Sequence, residues 1–172
     1  EGVVHVSPPL GKVDPELVFQ KEKDYQKIFS KIDEFKERAL SLQESPMKIL
    51  NNVSIHADAG LTVDRNLIYI NDLSGDGRIM LRANSGYLVI ESGDFSGSLS
   101  SSFSKENDPT IVKTGKGELK LKGDNSSVFA NLLIREGKVQ ANGPVGVDVF
   151  VAEAGVFGGN SSIASLINKG RV

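Results

Sequence analysis

Two stretches of this chain repeat one strand-sized pattern, and that repetition limits the available folds more than any other feature. Gly75-Asp76-Gly77-Arg78-Ile79-Met80-Leu81-Arg82-Ala83 aligns with Gly115-Lys116-Gly117-Glu118-Leu119-Lys120-Leu121-Lys122-Gly123, forty residues later. In both copies apolar side chains alternate with charged ones, so one face of each strand turns inward. Forty residues is about two turns of a solenoid at roughly 20 residues per turn. Leu132-Leu133-Ile134-Arg135-Glu136-Gly137-Lys138-Val139 continues the rhythm. A β-sandwich does not need a strand motif to recur in register. A stack of similar coils does, because each coil buries its face against its neighbours.

The rest of the chain beyond residue 50 has the same texture. Val53-Ser54-Ile55, Leu61-Thr62-Val63, Leu67-Ile68-Tyr69-Ile70, Tyr87-Leu88-Val89-Ile90 and Val147-Asp148-Val149-Phe150-Val151 are short runs broken by Gly, Asn, Asp or Ser. Spacing of about ten residues between such runs indicates many short strands. Hydrophobic residues make up 39% of the chain, aromatics 6%, and Trp is absent, so the core must be Val, Ile and Leu. The 18 glycines fall almost entirely after residue 50, as tight turns require. The expected fold is mainly β: a parallel β-solenoid over residues 51–172, clearest at 111–172, with the polar region 96–108 read as a loop extruded from one coil.

Residues 1–50 read differently. Ser7-Pro8-Pro9-Leu10-Gly11 is an extended or turn segment. Asp14-Pro15-Glu16 then starts a helix, with Asp as cap, Pro at the first helical position and an acid in the first turn. An amphipathic pattern runs over about 15–43, through Val18, Tyr25, Ile28, Ile32, Phe35, Ala39 and Leu42, before Ser45-Pro46 stops it. From Tyr25 the apolar steps alternate three and four, a heptad seam. Tyr25, Ile28, Ile32, Phe35, Ala39 and Leu42 are therefore a candidate interface. The seam either packs on the chain's own β-structure, as a cap on an end of the solenoid, or pairs with a partner. Fewer than four heptads, with Lys21 at a seam position, argue for the first.

Composition narrows the function classes. The net charge is −2 with both signs interspersed, and no basic patch runs beside aromatics, so nucleic acid is not an expected partner. No apolar run approaches the roughly 20 residues of a membrane-spanning helix, and no signal peptide pattern is present. Cysteine is absent, which suits a chain that crosses an oxidising compartment unfolded.

At Thr114-Gly115-Lys116-Gly117-Glu118-Leu119-Lys120-Leu121-Lys122-Gly123-Asp124-Asn125 the sequence resembles the passenger-associated repeat of bacterial autotransporters, which reads roughly T-G-x-G-x-L-x-L-x-G-x-N. The likeness continues through Glu136-Gly137-Lys138-Val139 and Val151-Ala152-Glu153-Ala154-Gly155-Val156-Phe157-Gly158-Gly159-Asn160. It ends at Ile163-Ala164-Ser165-Leu166-Ile167-Asn168-Lys169-Gly170-Arg171-Val172. It covers residues 111–172 well, 74–100 loosely, and the helix not at all. Gly115, Gly117, Leu119, Leu121, Gly123 and Asn125 are the motif positions: glycines for turns, leucines for the interior, Asn for a coil corner.

In that family of Gram-negative bacteria the passenger is a right-handed parallel β-helix, carried through the periplasm and outer membrane to the cell surface by a C-terminal β-barrel. The resemblance thus implies an excised passenger segment, secreted or surface-displayed, non-enzymatic and without cofactor. It would act in adhesion or virulence toward a host or cell-surface protein or glycan, and its last coils would aid folding during secretion.

Asp72-Leu73-Ser74-Gly75-Asp76-Gly77-Arg78-Ile79 resembles half an EF-hand loop, but position 12 is Ala83 where a bidentate Glu is needed, so a turn is the better reading. His5 and His56 lie far apart, outside any metal spacing. There is no nucleophile elbow, and the glycines at 155–159 lack the G-K-[ST] of a phosphate loop. Asn-x-Ser matches at Asn52, Asn125 and Asn160 read as turns. Two rival functions stand beside the passenger reading. One is another secreted β-solenoid adhesin or fibre that uses the seam to oligomerise. The other is a β-helix polysaccharide lyase or hydrolase, which would need clustered carboxylates where Asp148, Glu91 and Asp94 are scattered.

Overall fold

The computed structural model describes residues 2–6, 14–64, 66–82, 86–102 and 109–172. The proline-rich segment 7–11, Ala83 and residues 103–108 lie outside these; the first part of the expected loop at 96–108 is not extruded, because Ser98–Ser101 form a strand of the stack. Among the described residues are one helix and thirteen strands, and the strands stack in parallel through about six turns.

Each turn contributes three strand segments. The first two run together in β2 (Met47–Ile55), β4 (Leu67–Gly75) and β6 (Tyr87–Phe95). The third is β3 (Gly60–Val63), β5 (Arg78–Leu81) and β7 (Ser98–Ser101). Next come β8 (Thr110–Lys113) and β9 (Glu118–Leu121), then β10 (Asn125–Ala141) and β11 (Gly143–Gly158), each spanning nearly a whole turn. β12 (Ser161–Ile163) and β13 (Ser165–Asn168) finish the stack, and β1 (Val4–Val6) adds to β12 in parallel. Inward side chains such as Ile70, Leu73, Ile79, Ile90, Leu119, Ile134 and Val151 form one continuous core.

The turn length is twenty residues where Met47 pairs with Leu67, Ile68 with Leu88 and Arg78 with Ser98. It lengthens where Tyr87 meets Thr110 and Gly93 meets Leu119, then shortens to seventeen where Ala130 meets Val147. This changes the meaning of the forty-residue repeat. Its two copies do not stack. β5 belongs to the three-stranded sheet with β3 and β7, whereas β9 lies over β6 in the ten-stranded sheet. Leu119 stands over Gly93, which stands over Leu73. Three residues added before Thr110 and three more between Lys113 and Leu119 slide the second copy onto another segment of its turn.

The helix α1 (Pro15–Leu40) ends three residues earlier than the pattern to 43 suggests. Asp14 accepts from the Glu16 N–H and caps the start. At the other end Leu42 N–H donates to the Ala39 carbonyl and Gln43 N–H to Arg38, a Schellman closure with Leu42 at φ 57° in the position glycine favours. α1 does not sit over an end of the stack. Its buried residues Phe29 and Ile32 cluster with Met47, Leu67, Tyr69, Val89, Val112, Leu133 and Phe150, so it lies along the flank across successive turns. At about 1.5 Å per residue its 26 residues span roughly 39 Å. Six strand steps from β2 to β13 span about 29 Å at about 4.8 Å each, so one helix reaches the whole stack.

Candidate functional site

The seam between α1 and the coils gathers most of the molecule's unusual side chains. The first segments of the turns are not alternating strands but continuous buried runs: Leu67-Ile68-Tyr69-Ile70, Leu132-Leu133-Ile134, Val149-Phe150-Val151. Every second residue faces the interior, and the others, Tyr69, Val89, Val112, Leu133 and Phe150, face outward beneath the helix. A strand covered on both sides loses its polar face.

Two ring contacts anchor the helix. Tyr25 lies 5.1 Å from the Phe150 centroid and Phe29 6.4 Å from it. Polar ties flank them. Arg135 donates bidentately to Asp33 at 2.5 and 2.6 Å, and Lys169 pairs with Glu22 at 3.0 Å. Lys36 Nζ donates to the Tyr69 hydroxyl at 2.9 Å and lies 3.8 Å from Glu91. Asp33, Lys36, Tyr69, Glu91, Arg135 and Glu136 thereby line a polar cavity of about 380 Å³.

Beneath that cavity lies Lys113, fully buried. Its neighbours in register are Ile90 and Ile134, so its side chain takes an inward column otherwise filled by aliphatics. Nζ donates to the carbonyls of Thr114 at 2.6 Å, Gly115 at 2.8 Å and Glu136 at 3.4 Å. The ammonium so collects the carbonyls that converge where the chain turns from β8 to β9. Burial lowers its pKa to about 8, against the opposing pull of Glu136 and Glu91. Burial likewise raises the Tyr69 hydroxyl, reinforced by its hydrogen bond to Glu91 and by the charges of Glu91, Glu136 and Asp33. The Asp33 hydrogen bond raises Arg135. Glu136 accepts from the Gly115 N–H at 3.0 Å and from the Thr114 hydroxyl at 3.3 Å. Cation, carboxylate and backbone are matched pairwise, the arrangement of a clasp holding helix to coils.

The repeat residues occupy the adjoining turn. Gly115 and Gly117 lie between β8 and β9, Leu119 and Leu121 point into the core, and Asn125 is buried at the next corner. Gly123 passes so close to the turn below that a Cβ there would lie 1.9 Å from the Gly97 carbonyl oxygen. Asn125 Oδ1 accepts from the Leu99 N–H at 3.0 Å, and Ser101 Oγ bonds the Phe129 carbonyl at 3.1 Å. These side chains bridge β7 to β10 where no strand ladder joins them.

Of the seam residues, Ile32 is buried and Tyr25, Ile28 and Phe35 are half-buried against the coils. Ala39 is part-covered, and Leu42, beyond the helix end, is 96% exposed. Phe29, the most deeply placed helix residue with Ile32, is absent from the heptad reading, although it lies four residues after Tyr25 and three before Ile32. Lys113 carried no signal, since a lysine after Thr110-Ile111-Val112 looks solvent-facing. Arg135 could be placed only through its distant partner Asp33.

Asp76 and Gly77 form the turn between β4 and β5, while His5 lies on β1 and His56 follows β2. Among the described residues no three His, Asp or Glu side chains converge as a metal site would need. Among the described residues no helix is long and apolar enough to cross a membrane. No family model, curated protein or solved structure matches this chain.

Proposed function

We propose that this chain is a non-enzymatic segment of an autotransporter passenger, displayed at the cell surface or released, where its flanks meet a host or cell-surface protein or glycan in adhesion or virulence. The observation that carries the reading is the position of the T-G-x-G-x-L-x-L-x-G-x-N stretch within a parallel stack. Its leucines fill the interior, Gly123 permits the close passage at Gly97, and Asn125 caps Leu99 on the turn below. In this reading the stack is right-handed, as about 98% of parallel crossover connections within a sheet are. Each completed turn offers the next one an open strand edge, so the last coils template folding as the chain emerges past an outer-membrane β-barrel. The seam of α1 is engaged along its own chain, which favours this reading over a fibre joined through that seam.

The test is display of the full-length protein on intact cells, with and without residues 111–172, measured by surface labelling and accessibility to added protease. The reading expects display to fall to background on deletion. Undiminished display sinks it, and depolymerisation of a uronate polymer by the purified chain sinks its non-enzymatic part.

A further inference from the structure

Among the described residues the Lys113 ammonium is held by main-chain oxygen alone. It is fully buried, donates to the carbonyls of Thr114, Gly115 and Glu136, and makes no ion pair there. Two glycines shape the space around it. Gly115 lies in the turn from β8 to β9 and Gly137 in β10, one coil further on, both at φ 75°. A Cβ on Gly137 would stand 2.3 Å from the Gly115 carbonyl oxygen and 2.6 Å from the Lys113 Nζ. Only a residue without a side chain leaves that room, and only glycine takes this backbone conformation without strain. Carbonyls from two successive coils thus converge on one point. Without a donor at that point they would be buried and unpaired, at a cost each.

We infer that this corner is a monovalent-cation site, shared between two coils and filled by the chain's own ammonium. Carbonyl oxygens turned inward to replace a hydration shell are the ligands that a potassium or ammonium ion takes. A divalent ion asks for carboxylates, and the carboxylate at hand, that of Glu136, is turned instead to the Gly115 N–H and the Thr114 hydroxyl. The tether is what separates Lys113 from a free ion. Its four-carbon stem fills the inward column between Ile90 and Ile134, so the cation cannot exchange with solvent. The requirement of the corner is the charge, and the stem delivers it. The inference goes beyond the surface-display reading and stands without it, since it rests on this corner alone.

Lys113→Ala empties the column and leaves the cradle. Thermal unfolding of this variant in ammonium, potassium and tetramethylammonium chloride, at one ionic strength, tests the site. Its melting temperature should rise saturably, by about 4 °C, with ammonium or potassium and not with tetramethylammonium, which is too large to enter. The parent should respond equally to all three salts. Adding Gly137→Ala, whose Cβ intrudes on the cradle, should abolish the selective rise. An equal response of Lys113→Ala to every salt, folded or not, overturns the inference, as does a selective rise that survives Gly137→Ala. A second measurement uses the parent alone. Nitrogen-15 NMR at neutral pH should show one lysine ammonium whose protons are protected from exchange, lost in Lys113→Met. Absence of that protected signal overturns the inference whether or not the alanine variant folds.

Discussion

Raising the pH should strengthen this fold before weakening it. Lys113 is fully buried and its pKa falls from 10.5 to about 8 because burial disfavours its charge. In the unfolded chain it keeps the ordinary value. Below pH 8 both states hold the proton, and the folded state bears the whole cost of burying it. Between pH 8 and 10.5 the unfolded state binds more protons than the folded one, so stability rises with pH. The drop from 10.5 to about 8 corresponds to about 3 kcal/mol, of which roughly 2 kcal/mol returns between pH 8 and pH 10. Two tyrosines oppose this higher up. Burial raises Tyr25 and Tyr69 above 10.0, so the folded state keeps phenolic protons that the unfolded state releases, and stability falls beyond pH 10.

Lys113→Met separates the two effects. It keeps an unbranched side chain in the column but leaves the converging carbonyls without their donor, a loss of about 2–3 kcal/mol near neutral pH. Its stability should then stay flat between pH 8 and 10 and decline above that, as in the parent. Urea unfolding at pH 7, 8, 9 and 10 measures this. Far-UV circular dichroism is the signal, since the chain has no Trp. A rise that persists undiminished in Lys113→Met, or no rise in the parent, refutes the reasoning.

Two further substitutions probe the backbone. Leu42→Gly should stabilise the chain by about 0.5–1 kcal/mol: relief of the left-handed strain exceeds the entropy glycine gains when unfolded, and Leu42 buries nothing. A lowered urea midpoint would contradict it. Gly123→Ala should cost about 3 kcal/mol or more, because its Cβ would meet the Gly97 carbonyl, whereas Gly143→Ala, at φ 84° with nothing within 4 Å, should cost only about 1–2 kcal/mol. Equal urea midpoints for the two variants would show that close approach between turns is not what holds Gly123.

Period and alternation were legible because each turn repeats the same local problem: apolar side chains inward, a glycine or polar corner, then the next strand. Register was not. Residues added at two places, before Thr110 and again between Lys113 and Leu119, move everything after them, so Leu119 stands in line with Gly93 and Leu73 although the sequence aligns it with Ile79. The position of α1 was half visible. Its seam showed that it must pack on something, and Leu67-Ile68-Tyr69-Ile70 and Val149-Phe150-Val151 lack the polar alternate of a half-exposed strand. Set together, those runs name the face that the helix covers. Lys113 stayed hidden because its identity says surface while its parity, two after the inward Ile111, says core. Only three carbonyls brought together from two turns reconcile the two.

The route of α1 also alters how the stack comes apart. A solenoid in which each coil touches only the coils beside it behaves as a row of loosely linked units, free to fray from either end. Here Lys36 reaches Tyr69 in an early turn, Asp33 reaches Arg135 further on, and Glu22 reaches Lys169 near the last strand, all from one rigid rod. A terminal coil that loosens must also detach from the rod, and the rod is held by every other coil. Distant turns are thereby coupled without touching, so the row melts as a block instead of unravelling rung by rung.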